Sequence, residues 1–99
     1  MASELPAELL EVRKKIDHID SELVRLLAQR FALTHQVGVL KASNSLSSLD
    51  ATRESEKLAE LRQLARQYQL NPDLVSDLFS AIMAEVVRNH DQLRRDGGR

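Results

Sequence analysis

The chain has no cysteine and no tryptophan, and its 99 residues include only two prolines, three glycines, two phenylalanines and one tyrosine. Without cysteine there is no disulfide, no thiolate metal site and no thiol nucleophile. So few turn-forming and aromatic residues argue against a sandwich or barrel and for an all-α protein. Neither sign of charge dominates, since 14 Lys+Arg stand against 15 Asp+Glu for a formal net charge of -1. No net field therefore draws the chain to nucleic acid or to an anionic membrane. There is no apolar run long enough to span a bilayer, and MASELPAELLEVRKKIDHID lacks the apolar core of a signal peptide, so cytoplasm is the expected compartment. A chain of this length reads as one small domain over residues 1–99, burying only about 60–65% of its unfolded surface.

What the chain does have is a long seam. Apolar residues fall at Leu9, Val12, Ile16, Ile19, Leu23, Leu26, Leu33, Val37 and Leu40, with Arg30 in the remaining place, always three or four apart. The pattern predicts one helix over about residues 6–42, which at 1.5 Å per residue is ~55 Å long. That exceeds the width of a domain of this mass, so one compact monomer cannot bury the seam. A second copy is the usual cover, and an intertwined homodimer is expected.

Ser43 to Leu49 reads SNSLSSL, a run that competes for backbone hydrogen bonds and ends the first helix. Ser48 or Asp50 then caps a second helix, about 50–68, with Leu58, Leu61, Ala65 and Tyr68 on one stripe. Asn71-Pro72-Asp73 supplies a cap, a first-turn proline and an acid at the positive end of a third helix, about 72–94. Val75, Phe79, Ile82, Val86, His90 and Leu93 share its apolar face, and the tail from Arg94 onward is expected to fray.

Several residues break these patterns. Arg30 sits in a seam position, where an unpaired guanidinium would cost several kcal/mol. Two readings stay open: a structural ion pair that sets register, or an anionic ligand. Lys41 lies eleven residues on, within about 20° of the same face and ~16 Å along the axis, so that both side chains can reach one small anion. Arg13 lies ~26 Å from Arg30 along the helix, too far to share a small ligand in cis. It is either a solvated arginine beside Lys14 and Lys15 or a contribution from a partner chain. Arg53 and Glu54 open the second helix near Lys41, and both also read as ordinary helix-surface charge. His90 on an apolar stripe is either a satisfied core histidine or a site residue. His18 and His35 have no ligand at i+4, and Asp17 and Asp20 read as a wet helix face, so no metal is assigned. The serines between Ser43 and Ser48 lack a base and a G-x-S-x-G context, which leaves no nucleophile.

The ordered set Arg13, Arg30, Lys41, Asp50, Arg53, Glu54, with Ile16-Asp17-His18-Ile19-Asp20 and the Leu-Leu-Ala-x-Arg ending at Arg30, resembles the all-helical AroQ-class chorismate mutases over nearly the whole chain. The resemblance implies three helices per chain, one very long, interlocked as a homodimer whose two sites each receive an arginine from the other subunit, a role that falls on Arg13. It implies the Claisen rearrangement of chorismate to prephenate, a reaction that needs no cofactor, metal, general base or covalent intermediate. Arg13 in trans and Arg30 would hold the two substrate carboxylates, for which guanidinium forks suit better than ammonium groups. Lys41 would meet the ether oxygen and a carboxylate, Arg53 would complete the cationic pocket, and Glu54 with the backbone near Asp50 would accept from the ring hydroxyl.

The sequence departs from the family at His90, where Gln or Glu usually donates to the ether oxygen. Neutral imidazole has a single N–H for that task. Val86 stands where a Ser can assist carboxylate binding. Isochorismate pyruvate lyase and 4-amino-4-deoxychorismate mutase share the fold and are alternatives, with Glu54 and Asp50 favouring a mutase. A non-enzymatic helical dimerisation module is the alternative of a different class, opposed by Arg30 in its seam.

Overall fold

Helix ends organise this chain. The computed structural model describes residues 4–97, and among them the chain forms three α-helices and no strand. They are α1 (Ala7–Ser43), α2 (Ala51–Gln67) and α3 (Pro72–Arg95). α1 stops at Ser43 because the backbone turns left-handed at Ser45, φ 56°. The Leu46 N–H then reaches the Lys41 carbonyl at 2.7 Å and the Ser45 N–H reaches that of Ala42 at 3.2 Å, the two bonds of a Schellman closure. α2 ends the same way, with Gln69 at φ 58° and the Leu70 N–H on the Ala65 carbonyl at 2.8 Å. Neither turn uses glycine, so each holds an L-residue in a backbone well that a Cβ disfavours.

The helix starts are carried by side chains. Of the two expected caps for α2, Asp50 is the one used: its Oδ1 accepts from the Arg53 N–H at 3.0 Å. Asn71 caps α3, accepting from the Asp73 N–H at 2.9 Å, with Pro72 in the first turn, where a missing N–H costs nothing. α3 continues through Arg95, so Arg94 and Arg95 are helical where fraying was expected, while Gly98 and Arg99 lie outside the described residues.

By internal contacts the chain divides into two compact units, residues up to Leu33 and residues from Thr34 onward. The first is helix throughout its described length from Ala7. Its seam is bare in the single chain, from 37% exposed at Leu9 to 62% at Leu33. The Glu22–Arg25 pair at 2.8 Å is solvated and contributes little.

The second unit contains the last turns of α1 with α2 and α3. Its buried apolar residues are Leu61 and Ala65 of α2 and Met83 of α3, flanked by the half-buried Leu58, Phe79, Ile82 and Val86. Arg62 ties α2 to the start of α3, its Nη2 2.9 Å from Asp73 Oδ1 and its Nη1 donating to the Pro72 carbonyl at 3.4 Å. Tyr68 departs from the expected stripe. It is the C-cap of α2 and 72% exposed, because helical periodicity ends one residue before it. Gly38 is buried, and a Cβ built on it would lie 2.5 Å from Cδ2 of His90.

These glycine positions and non-glycine turns make opposite predictions. Ser45→Gly and Gln69→Gly are each expected to stabilise by about 1 kcal/mol in urea unfolding, by removing the left-handed Cβ penalty. Gly38→Ala is expected to destabilise by about 1–3 kcal/mol, since the His90 ring has to shift. Equal effects at all three positions would show that the backbone account of these turns is wrong.

Candidate active site

The corner between α1 and α2 gathers charged groups by local geometry. Lys41 stands in the last turn of α1, where its carbonyl already closes the helix through Leu46. Its Nζ donates to the Ser48 carbonyl at 3.3 Å, which fixes a long side chain while leaving other ammonium hydrogens available. Ser48 itself is 5% exposed, and its Oγ has no hydrogen-bond partner among the described residues.

Asp50 roots the next two candidates. Its carboxylate accepts from the Arg53 N–H and its carbonyl from the Glu54 N–H, each at 3.0 Å. Both side chains thus leave the first turn of α2. Glu54 is half-buried and suits the positive end of the helix; Arg53 is exposed and opposes it. Neither takes part in an ion pair among the described residues, where the pairs are Arg25–Glu22, Lys57–Glu60, Arg62–Asp73 and Arg88–Glu85. Arg53 is thus a cation placed against the helix dipole, with no carboxylate paired to it among the described residues.

His90 lies elsewhere in the second unit. It is 3% exposed on α3, with Nε2 2.7 Å from the Thr34 carbonyl oxygen of α1. In the first unit Arg13 is exposed and Arg30 half-buried, both on α1. Lys41 thus reaches the Ser48 carbonyl in the loop that leads to the Asp50 cap, Arg53 and Glu54 depart from the turn that Asp50 caps, and His90 stands against Thr34 and Gly38, on the same α1 face as Lys41. Among the described residues no cluster of His, Asp or Glu is arranged to hold a metal, and no helix is long and apolar enough to cross a membrane.

Three further residues meet these candidates. Gly38 has a sequence signal, because a lone glycine inside a helix costs about 1 kcal/mol relative to alanine and is kept for close packing. Ser48 reads from sequence only as a cap. Thr34 takes part through its carbonyl, for which no residue type is diagnostic.

Among the described residues the chain is all-helical, and comparison with known proteins places it further. A model of the family chorismate mutase type II matches residues 12–91, and the chain belongs to that family. It is 37% identical over 79 residues to the T-protein of Enterobacter agglomerans, covering 80% of this chain and 21% of that protein. It is 33% identical over 85 residues to the bifunctional chorismate mutase/prephenate dehydratase of Buchnera aphidicola subsp. Acyrthosiphon pisum, covering 86% of this chain and 22% of that one. With the chorismate mutase of Methanocaldococcus jannaschii it shares 28% over 76 residues, 77% of each chain. The chain thus spans about a fifth of the length of the first two of these relatives.

The charge argument at Arg53 has a direct check. Arg53→Ala is expected to raise folding stability by roughly 0.3–1 kcal/mol at low salt, as the unfavourable helix-terminus charge is removed. A loss of stability on the same scale would mean that the guanidinium is held by the fold.

Proposed function

We propose that the chain is a chorismate mutase, converting chorismate to prephenate. The observation that carries this reading is that the family match over residues 12–91 contains every candidate at once: Arg13, Arg30, Lys41, Asp50, Arg53, Glu54 and His90. In the reaction an ether C–O bond breaks and a C–C bond forms within one molecule, with no atom gained or lost. The protein has two tasks, holding the enolpyruvyl arm over the ring and stabilising the negative charge that grows on the ether oxygen.

In this reading Arg30 and Arg13 of the partner subunit grip the two carboxylates through bidentate bonds. Lys41 meets the ether oxygen and a carboxylate, and its anchoring at Ser48 supports this, since a pre-positioned ammonium needs little reorganisation as charge develops. Arg53 completes the cationic pocket. Glu54, with the backbone at Asp50, accepts from the ring hydroxyl and fixes the ring's orientation. This chemistry calls for neither cofactor nor metal.

The same reading makes the protein a homodimer. Nine seam residues of α1 are between 37% and 62% exposed in the single chain: Leu9, Val12, Ile16, Ile19, Leu23, Leu26, Leu33, Val37 and Leu40. At about 1 kcal/mol each, covering them would contribute on the order of 9 kcal/mol, comparable to the net stability of a whole domain. A second copy offers a matching seam. The reaction belongs in the cytoplasm, with a small molecule as ligand and neither nucleic acid nor membrane as partner.

Incubation with chorismate, isochorismate and 4-amino-4-deoxychorismate, followed by product identification, tests the activity. Prephenate from chorismate alone is expected. Pyruvate from isochorismate reassigns the chain to the lyase, turnover of the amino compound reassigns it to the corresponding mutase, and inertness toward all three leaves a dimerisation module. Arg30→Ala is expected to lose at least about 3 kcal/mol of transition-state stabilisation. Mixed with Arg13→Ala under subunit exchange, it is expected to recover about a quarter of the wild-type activity, because half the dimers are then mixed and one of their two sites carries neither lesion. Absence of recovery with exchange demonstrated would refute a shared site.

A further inference from the structure

A neutral imidazole at His90 has one hydrogen to give, and the Thr34 carbonyl takes it. Its Nε2 stands 2.7 Å from the Thr34 carbonyl oxygen, which has only lone pairs to offer, so Nε2 carries the proton. In the neutral ring Nδ1 is then a bare acceptor, and it is buried with no partner among the described residues. The ring lies close against Gly38: a Cβ there would be 2.5 Å from Cδ2, 2.9 Å from Nε2 and 2.8 Å from Leu93 Cδ1. The imidazole edge therefore rests directly on the α1 backbone.

Thr34, Gly38 and Lys41 follow one another at i, i+4 and i+7, one face over the last turns of α1. The contact that clamps Thr34 and Gly38 thus sets the height and rotation of the turn from which Lys41 departs, and Lys41 Nζ ends on the Ser48 carbonyl at 3.3 Å. From this we infer that His90 is a positioning residue that acts on the reaction through Lys41, and that it does not donate to the substrate. The inference rests on the proposed mutase reading. It gives the role expected of His90, a donor toward the ether oxygen, to the Lys41 ammonium alone. It also pairs His90 with Gly38, because the ring reaches the Thr34 carbonyl only where no Cβ intervenes.

A double-mutant cycle on the full chain tests it. Asn at position 90 offers an N–H near the place of Nδ1 and none near that of Nε2, whereas Gln reaches the place of Nε2. His90→Asn is expected to lower kcat by about tenfold to a hundredfold with KM changed less than about threefold, the scale of a misplaced catalytic group. In a Lys41→Ala background the same change is expected to cost less than about twofold, because the group it positions is gone. His90→Gln is expected to restore most of kcat. An equal loss from His90→Asn with and without Lys41 overturns the inference.

Should His90→Asn fail to fold, the imidazole 15N signals of the wild type decide instead. Protonated Nε2 and unprotonated Nδ1, both unmoved on addition of a bicyclic dicarboxylate analogue of the transition state, support positioning; a proton on Nδ1, or ring signals that shift on binding, overturn it. Inertness of the wild type toward chorismate overturns the mutase reading and this inference with it. Normal wild-type turnover with an additive cycle overturns the inference alone.

Discussion

A helix with one apolar stripe requires a second surface, and along α1 that requirement is larger than the chain itself meets. The buried apolar residues, Leu61, Ala65 and Met83, all belong to α2 and α3. The α1 seam keeps roughly half of each side chain in water. A protein of this size has a net stability of only several kcal/mol, so an uncovered stripe of comparable worth decides its solution state. In the proposed dimer, covering the seam and building the site are the same event, because the helix that brings the apolar stripe also brings Arg13.

Within the second unit, the Lys41 ammonium is anchored on a carbonyl in the following loop, and the backbone N–H groups of Arg53 and Glu54 are bound by Asp50. Anchoring a cation on a carbonyl leaves its charge unneutralised, whereas an ion pair with a carboxylate would spend it. Arg25–Glu22, Lys57–Glu60 and Arg88–Glu85 are i,i+3 ion pairs within one helix, and Arg62 joins Asp73. Arg53 sits in the first turn of α2, where a carboxylate would be more stable.

How much of this was legible in the sequence follows from the range of each interaction. The three helices were legible because their signals are local: the threes and fours from Leu9 to Leu40, the Ser-rich break and Asn71-Pro72-Asp73. The choice between Ser48 and Asp50 as cap was not, since both residue types cap well and only the loop's path buries one of them. Tyr68 fitted the stripe of α2 by counting, but the left-handed turn at Gln69 ends the helix and turns it outward. The His90–Thr34 bond joins residues 56 positions apart and uses a backbone carbonyl, so no spacing rule reaches it. Met83, four residues beyond Phe79, was within reach of the helical period but outside the stripe as drawn. The candidate residues come from the family resemblance; the structure adds the carbonyl contacts of Lys41 and His90 and the cap at Asp50.

In the proposed dimer a second copy of this chain covers the α1 seam and completes the site. Sedimentation equilibrium across a dilution series, with activity and helicity read on the same samples, addresses it most directly. A species of twice 11.2 kDa is expected, and its dissociation on dilution is expected to take catalysis and helicity away together. A fully helical, fully active species of 11.2 kDa that persists at every concentration would contradict it.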